Sequence, residues 1–272
     1  MACPKDVTMQ DLSGRWTLNT KLSDNIDPML ALQGVSWLAR TALSLTTVKL
    51  QIKHYHSDDA SPGPAINTTT TATTPTQAGP AQPSSAKAGD TPAKDTAKEP
   101  TGVKGKGKTE QVEHIDIAQT MSGIPSSHEH RVLDWTLRKS SNAVFGEVEG
   151  RSRRIPTPKE ITQSLTDGDA ATRAWMAEGW SPAPAAAVDG GGGEEGFVQS
   201  YVRSLEKGRG LYQIEQVWGI GDVGGERRHV RRLRTWTEDG KGGVKKEQRT
   251  VLVYDWRGRE GEEERNAWDD TV

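Results

Sequence analysis

The constraint that weighs most on this chain is a train of short segments in which apolar and polar residues alternate, cut by Gly- and Asp-rich turns. Val48, Leu50 and Ile52 alternate with Lys49, Gln51 and Lys53. Ile115 and Ile117 alternate with His114, Asp116 and Ala118, and Leu133, Trp135 and Leu137 with Asp134, Thr136 and Arg138. Further on, Tyr212, Ile214, Gln216 and Trp218 share one face, as do Thr250, Leu252, Tyr254 and Trp256. A period of two puts one face of a strand in a core and the other in water. The separators at 207–210, 221–225 and 239–243 are tight-turn sequences. Such a train predicts a mainly β fold: an antiparallel up-and-down meander of about ten strands, which loses its exposed edges by closing into a barrel.

Two stretches interrupt the train. Residues 57–108 are Thr, Pro, Ala, Gly, Ser and Lys with almost no large apolar side chain. They bury too little surface to offset the entropy of ordering, and disorder is predicted. Residues 156–196 form a second insertion, within which 169–180 has a helical pattern carrying Trp175 and Met176. The remaining blocks, 11–56, 109–155 and 197–258, total about 155 residues, the usual size of one domain. Thus 11–258 reads as one interrupted domain and 259–272 as an acidic tail.

The charge balance excludes broad classes. With 35 basic and 37 acidic residues the net charge is -2, which argues against a nucleic-acid partner. A single cysteine, Cys3, excludes an internal disulfide framework. No apolar run is long enough to span a membrane, and no secretion signal or lipidation box is visible. The expectation is a cytoplasmic, monomeric protein without cofactor or metal.

One segment departs from the strand pattern. After 14–18 come Asp27, a candidate N-cap, and Pro28, suited to a first helical turn; Gly34 is placed to end that helix. A second helix over 35–43 follows. Strand, helix pair, then strands to the end resembles the calycins, closest to the intracellular lipid-binding (fatty-acid-binding) proteins. The residues that carry the resemblance are Gly14-Arg15-Trp16-Thr17-Leu18, Ile26-Asp27, Gly34-Val35, Trp37 and Arg40. A lipocalin-like variant is the alternative, but its pattern lacks the helix pair. The resemblance implies a lidded barrel that binds a lipid. It also implies a carboxylate anchor, which this chain alters: Tyr254 keeps a phenol, while Leu252 and Gln216 stand where the family has arginines.

A barrel of this size leaves room for an apolar ligand. By alternation the ligand-binding candidates are Met29 and Trp37 on the lid and Leu50, Ile52, Ile117, Trp135, Tyr212, Gln216, Trp218, Leu252 and Tyr254 on strands. The basic run 227–234 has two readings. If Val230 and Trp236 face inward, Arg232 and Arg234 enter the cavity as replacement anion anchors; otherwise they form an exterior face paired with Glu215 or Glu247. The six histidines read as surface residues. Gly219-Ile220-Gly221-Asp222-Val223-Gly224 approaches a dinucleotide fingerprint but has no helix behind it.

Three functions fit these residues. The first is binding of a small hydrophobic ligand of fatty-acid, sterol or terpenoid type. The second is a cyclase or isomerase of a hydrophobic natural-product intermediate on the same barrel, using Tyr212, Tyr254, Glu147 or an inward arginine. The third is an interaction scaffold. An empty apolar cavity favours the first, a clustered Tyr, Arg and acid the second, and a filled barrel the third.

Overall fold

The computed structural model describes residues 1–58, 111–121, 124–142, 144–164, 168–180, 196–206, 211–238 and 244–259. Most of the first insertion, 165–167 and 181–195 of the second, and nearly all of the acidic tail lie outside the described residues. The chain runs β1 (Gly14–Leu18), α1 (Asp27–Leu32), α2 (Trp37–Ser44), β2 (Val48–Ser57), β3 (Val112–Met121), β4 (Ile124–Val132), β5 (Arg138–Asn142) and β6 (Gly146–Ile155). It continues with α3 (Pro158–Ser164), α4 (Ala170–Ala177), β7 (Phe197–Ser204), β8 (Tyr212–Val223), β9 (Glu226–Glu238) and β10 (Val244–Trp256).

All ten strands form one antiparallel sheet in the order β4-β3-β2-β1-β10-β9-β8-β7-β6-β5. The meander is therefore the expected one, with the helix pair between the first two strands and the first strand paired to the last. The sheet curls into a partial barrel whose edges are β4 and β5. The chain just after β4 ties one edge down: Asp134 bridges Arg153, and the Trp135 N–H donates to the Ser152 carbonyl at 2.8 Å. Residues 133–137 are thus a connection, not the strand predicted from Leu133, Trp135 and Leu137. Trp135 adopts φ 60° there.

Register is set where turns are tightest. Val223 pairs with Glu226 across Gly224 and Gly225, whose φ values of 65° and 75° make a two-residue hairpin turn with both central residues left-handed. Trp218 therefore pairs with Arg231, and Ile220 with His229.

The inner face of the sheet holds one large apolar cluster that includes Trp16, Leu50, Ile52, Ile117, Tyr212, Ile214, Trp218, Leu252, Tyr254 and Trp256. The N-terminal segment plugs one end of it. Val7, Met9 and Leu12 are buried there, and Trp16 Nε1 donates to the Leu12 carbonyl at 3.0 Å. His54, Glu113 and Arg154 pin the plug: the Leu12 N–H donates to His54 Nδ1 at 3.3 Å, and Arg154 donates to the Met9 carbonyl at 2.9 Å. Glu113 accepts from both His54 and Arg154.

The lid departs from expectation in detail. Gly34 (φ 71°) follows α1 as predicted, but Ile26 occupies the cap position and Asp27 instead pairs with Arg40 at 3.3 Å. Ser36 caps α2 by accepting from the Ala39 N–H. Met29 is buried, whereas Trp37 is 70% exposed and points away from the interior.

The second insertion builds an outer layer. Asp169 caps α4 by accepting from the Thr172 N–H at 2.7 Å. Ile161 of α3 and Met176 of α4 join Ile155, Phe197 and Val217 in a separate cluster on the outside of the sheet. Sectors β6–β9 are consequently packed on both faces. At Gly219 the two layers are in close contact. A Cβ there would lie 2.6 Å from Trp180 Cε3 and 2.9 Å from Phe197 Cδ1. Gly219→Ala should therefore lower stability by about 1–3 kcal/mol through overpacking. Urea unfolding followed at tryptophan checks this; an unchanged midpoint would show that the outer layer is loosely held.

Candidate functional site

The alternation seen in β8 carries across the two-residue turn and decides which residues of the basic run face inward. Because Trp218 faces in, so does Arg231; His229 and Leu233 join it. Arg232 and Arg234 consequently lie outside, correcting the phase inferred from Val230 and Trp236. Arg232 donates to the Trp175 carbonyl of α4 at 2.8 Å, and Arg234 pairs with Glu247 at 2.9 Å. The exterior reading is the arrangement found. Trp135 is likewise outside, with Arg151 and Arg153 4.3 and 4.1 Å from its ring centroid. Leu50, Ile52, Ile117, Tyr212, Gln216, Trp218, Leu252 and Tyr254 converge on the interior.

The polar centre of that interior comes from residues that alternation did not single out. Arg231 of β9 stacks its guanidinium 4.0 Å over the Trp218 ring and lies 5.1 Å from that of Tyr254. Arg131 of β4 reaches across to donate to Ser200 Oγ of β7 at 2.6 Å, with its guanidinium 5.5 Å from Trp218. Arg131 also pairs with Glu129 at 2.6 Å. Trp218 Nε1 donates to Gln216 Oε1 at 2.9 Å, which commits Gln216 to holding the indole. His229 stacks on Tyr254, its ring 5.4 Å away. Leu252, in the position where the resemblance implies an arginine, is paired with Arg231 across the ladder. A guanidinium therefore lies on the strand beside Leu252.

Electrostatics sharpen the roles. Burial, reinforced by Arg231, pulls the His229 pKa well below its ordinary value. The hydrogen bonds agree: Nδ1 donates to the Gly219 carbonyl at 3.3 Å while Nε2 accepts from Arg231 Nε at 3.2 Å, a neutral imidazole. Burial pushes the Tyr254 phenol up, against the pull of Arg231, so it stays protonated. Burial also disfavours the Glu129 carboxylate, but Arg131 and Arg231 outweigh it and leave its pKa lowered. Glu129 shares its face with inward Ile117 and keeps 36% of its side-chain surface accessible. A separate cleft of about 420 Å³ lined by Arg153, Arg154, Ile155, Glu160 and Gln163 holds none of this cluster.

The histidines also differ from expectation. His54, His114 and His229 are buried. On the outer face His114 stacks on Tyr55 and faces His130, which is paired with Asp116. Among the described residues no group of three or more His, Cys, Asp or Glu is arranged to hold a metal ion, and no helix is long and apolar enough to cross a membrane.

No family model matches the chain. Among curated proteins, the probable pericyclase scpY of Mollisia scopiformis is 26% identical over 257 residues, spanning 94% of this chain and 95% of that one. Among solved structures, a Schistosoma mansoni fatty acid binding protein in complex with arachidonic acid aligns with TM-score 0.41 at 9% identity, covering 92% of this chain and 99% of that one. The REP1-NXSQ fatty acid transporter gives 0.38 at 9% identity, covering 92% and 98%. The calycin-like fold itself is defined by the strand order, the register and the place of the helix pair.

Proposed function

We propose that this chain is a pericyclase-type enzyme that folds and cyclises a small, unsaturated hydrophobic substrate inside the barrel. The observation that carries the reading is the interior cluster of Arg131, Arg231, Glu129 and Tyr254 around Trp218. The likeness to a probable pericyclase over nearly the whole of both chains supports it. A pericyclic reaction forms its bonds in one cyclic transition state and needs neither nucleophile nor proton relay. It asks for two things: a flexible chain held in its reactive fold, and hydrogen-bond donors on a conjugated carbonyl. Restricting the chain against Leu50, Ile52, Ile117, Ile214 and Leu252 supplies the first, an effect that reaches roughly 7–11 kcal/mol in favourable cases. Preorganised guanidinium and phenol donors supply the second, worth roughly 3–4 kcal/mol per donor.

The test works before the substrate is identified. Deleting the gene in the organism of origin should make a less cyclised isomer, of equal mass to the lost product, accumulate. Purified wild-type protein added to that extract should convert it, and the double variant Arg131→Met/Arg231→Met should not. Identical extracts from both strains, or conversion by the double variant at the wild-type rate, would remove the enzyme reading. A non-catalytic carrier is the second reading, favoured by the Arg231 guanidinium lying 5.1 Å from the Tyr254 ring on an otherwise apolar inner face. It predicts a ligand that leaves the protein unchanged.

A further inference from the structure

The interior cluster has a charge imbalance that constrains what can enter it. The charges that face one another are Arg131, Arg231 and Glu129; His229 is neutral by its hydrogen bonds, and Tyr254 is an un-ionised phenol. Two guanidiniums and one carboxylate leave a single positive charge uncompensated on the inner face. Arg131 spends Nη1 on Ser200 and Nη2 on Glu129. Arg231 spends Nε on His229, and its buried Nη2 meets no hydrogen-bond partner among the described residues. A buried cation without a partner is costly, and an anion brought to it by the ligand removes that cost.

We infer that the interior selects a substrate carrying one ionised oxygen acid, a carboxyl or an acidic enol, with Arg231 as its anchor and Glu129 as the residue that limits the site to a single negative charge. This rests on the reading of the interior as the substrate site. The guanidinium fork matches two oxygens that share a charge, the geometry common to a carboxylate and a 1,3-dicarbonyl enolate. Glu129 already occupies Arg131, so it both holds that guanidinium in place and competes with any anion that approaches it.

The experiment is direct binding to the full chain, read by tryptophan fluorescence and checked by calorimetry. One pair of probes is parinaric acid and its methyl ester; the other is a 6-alkyl-4-hydroxy-2-pyrone and its 4-methoxy ether. The wild type should prefer one acid over its neutral partner by roughly tenfold or more, as a hydrogen bond to a charged group implies. Which pair shows the preference identifies the acid. Arg231→Met should bring acid and neutral probe to within about threefold of each other. Glu129→Gln should tighten the acid by roughly tenfold while leaving the neutral probe unchanged, an effect that a merely structural role for Glu129 would not produce. Equal binding of acid and neutral probes in both pairs overturns the inference, as does weaker acid binding in Glu129→Gln. Both comparisons hold even if the Arg231 variant fails to fold. If the extract assay shows conversion but the probes show no acid preference, the charge rule fails and the enzyme reading stands. Acid preference without conversion gives the reverse.

Discussion

Trp218→Ala should destabilise the protein by about 3–5 kcal/mol, the usual cost of deleting a large buried aromatic side chain. The indole is fully enclosed, anchored through Nε1 to Gln216, and lies 4.0 and 5.5 Å from two guanidiniums. Removing it opens a void and takes from Arg231 the ring on which it rests. Trp218→Phe keeps an aromatic surface and loses chiefly the Gln216 bond, so its cost should be nearer to about 1 kcal/mol. Urea unfolding of both variants measures the difference. An alanine variant within about 1 kcal/mol of wild type would mean that the interior is loosely packed around Trp218.

Acid should destabilise the fold in two separable windows. The unfolded chain takes up a proton at His229 near pH 6.5, while the folded chain, whose His229 pKa lies well below that, does not. Stability therefore falls as pH drops below 6.5 and goes on falling until the folded-state pKa of His229 is reached. Glu113 acts lower down. Burial raises its pKa, but hydrogen bonds from His54 and Arg154 win and bring it from 4.5 to about 2. Its contribution is complete above pH 4.5 and is lost as pH falls toward 2. His229→Gln, which cannot titrate, should flatten the upper window and leave the lower one. Parallel stability curves for this variant and wild type between about pH 7.5 and 5 would count against the first assignment.

Much of this architecture could be read from the residues, and the failures have physical causes. Strands β2, β3, β8 and β10 announced themselves because their inner faces are apolar. Strand β4 did not: its inward residues include Glu129 and Arg131, so a search for alternating apolar residues passes over the strand that delivers part of the polar centre. Arg231 was within reach. A two-residue turn at Gly224-Gly225 fixes β9 against β8, and Trp218 then selects Arg231 rather than Arg232 or Arg234. Val230 and Trp236 misled because they are buried on the outer face, and a strand buried on both faces shows no wet side. Trp135 was misplaced for another reason: 133–137 imitates a strand in composition while its backbone turns at φ 60°.

The helical layer over β6–β9 has one more consequence. It backs β9 from outside, so Arg231 sits on a strand packed on both faces, whereas Arg131 and Glu129 sit on β4, at the edge of the sheet. The polar centre is thus assembled from a strand supported on both faces and an edge strand, joined where Arg131 bonds Ser200.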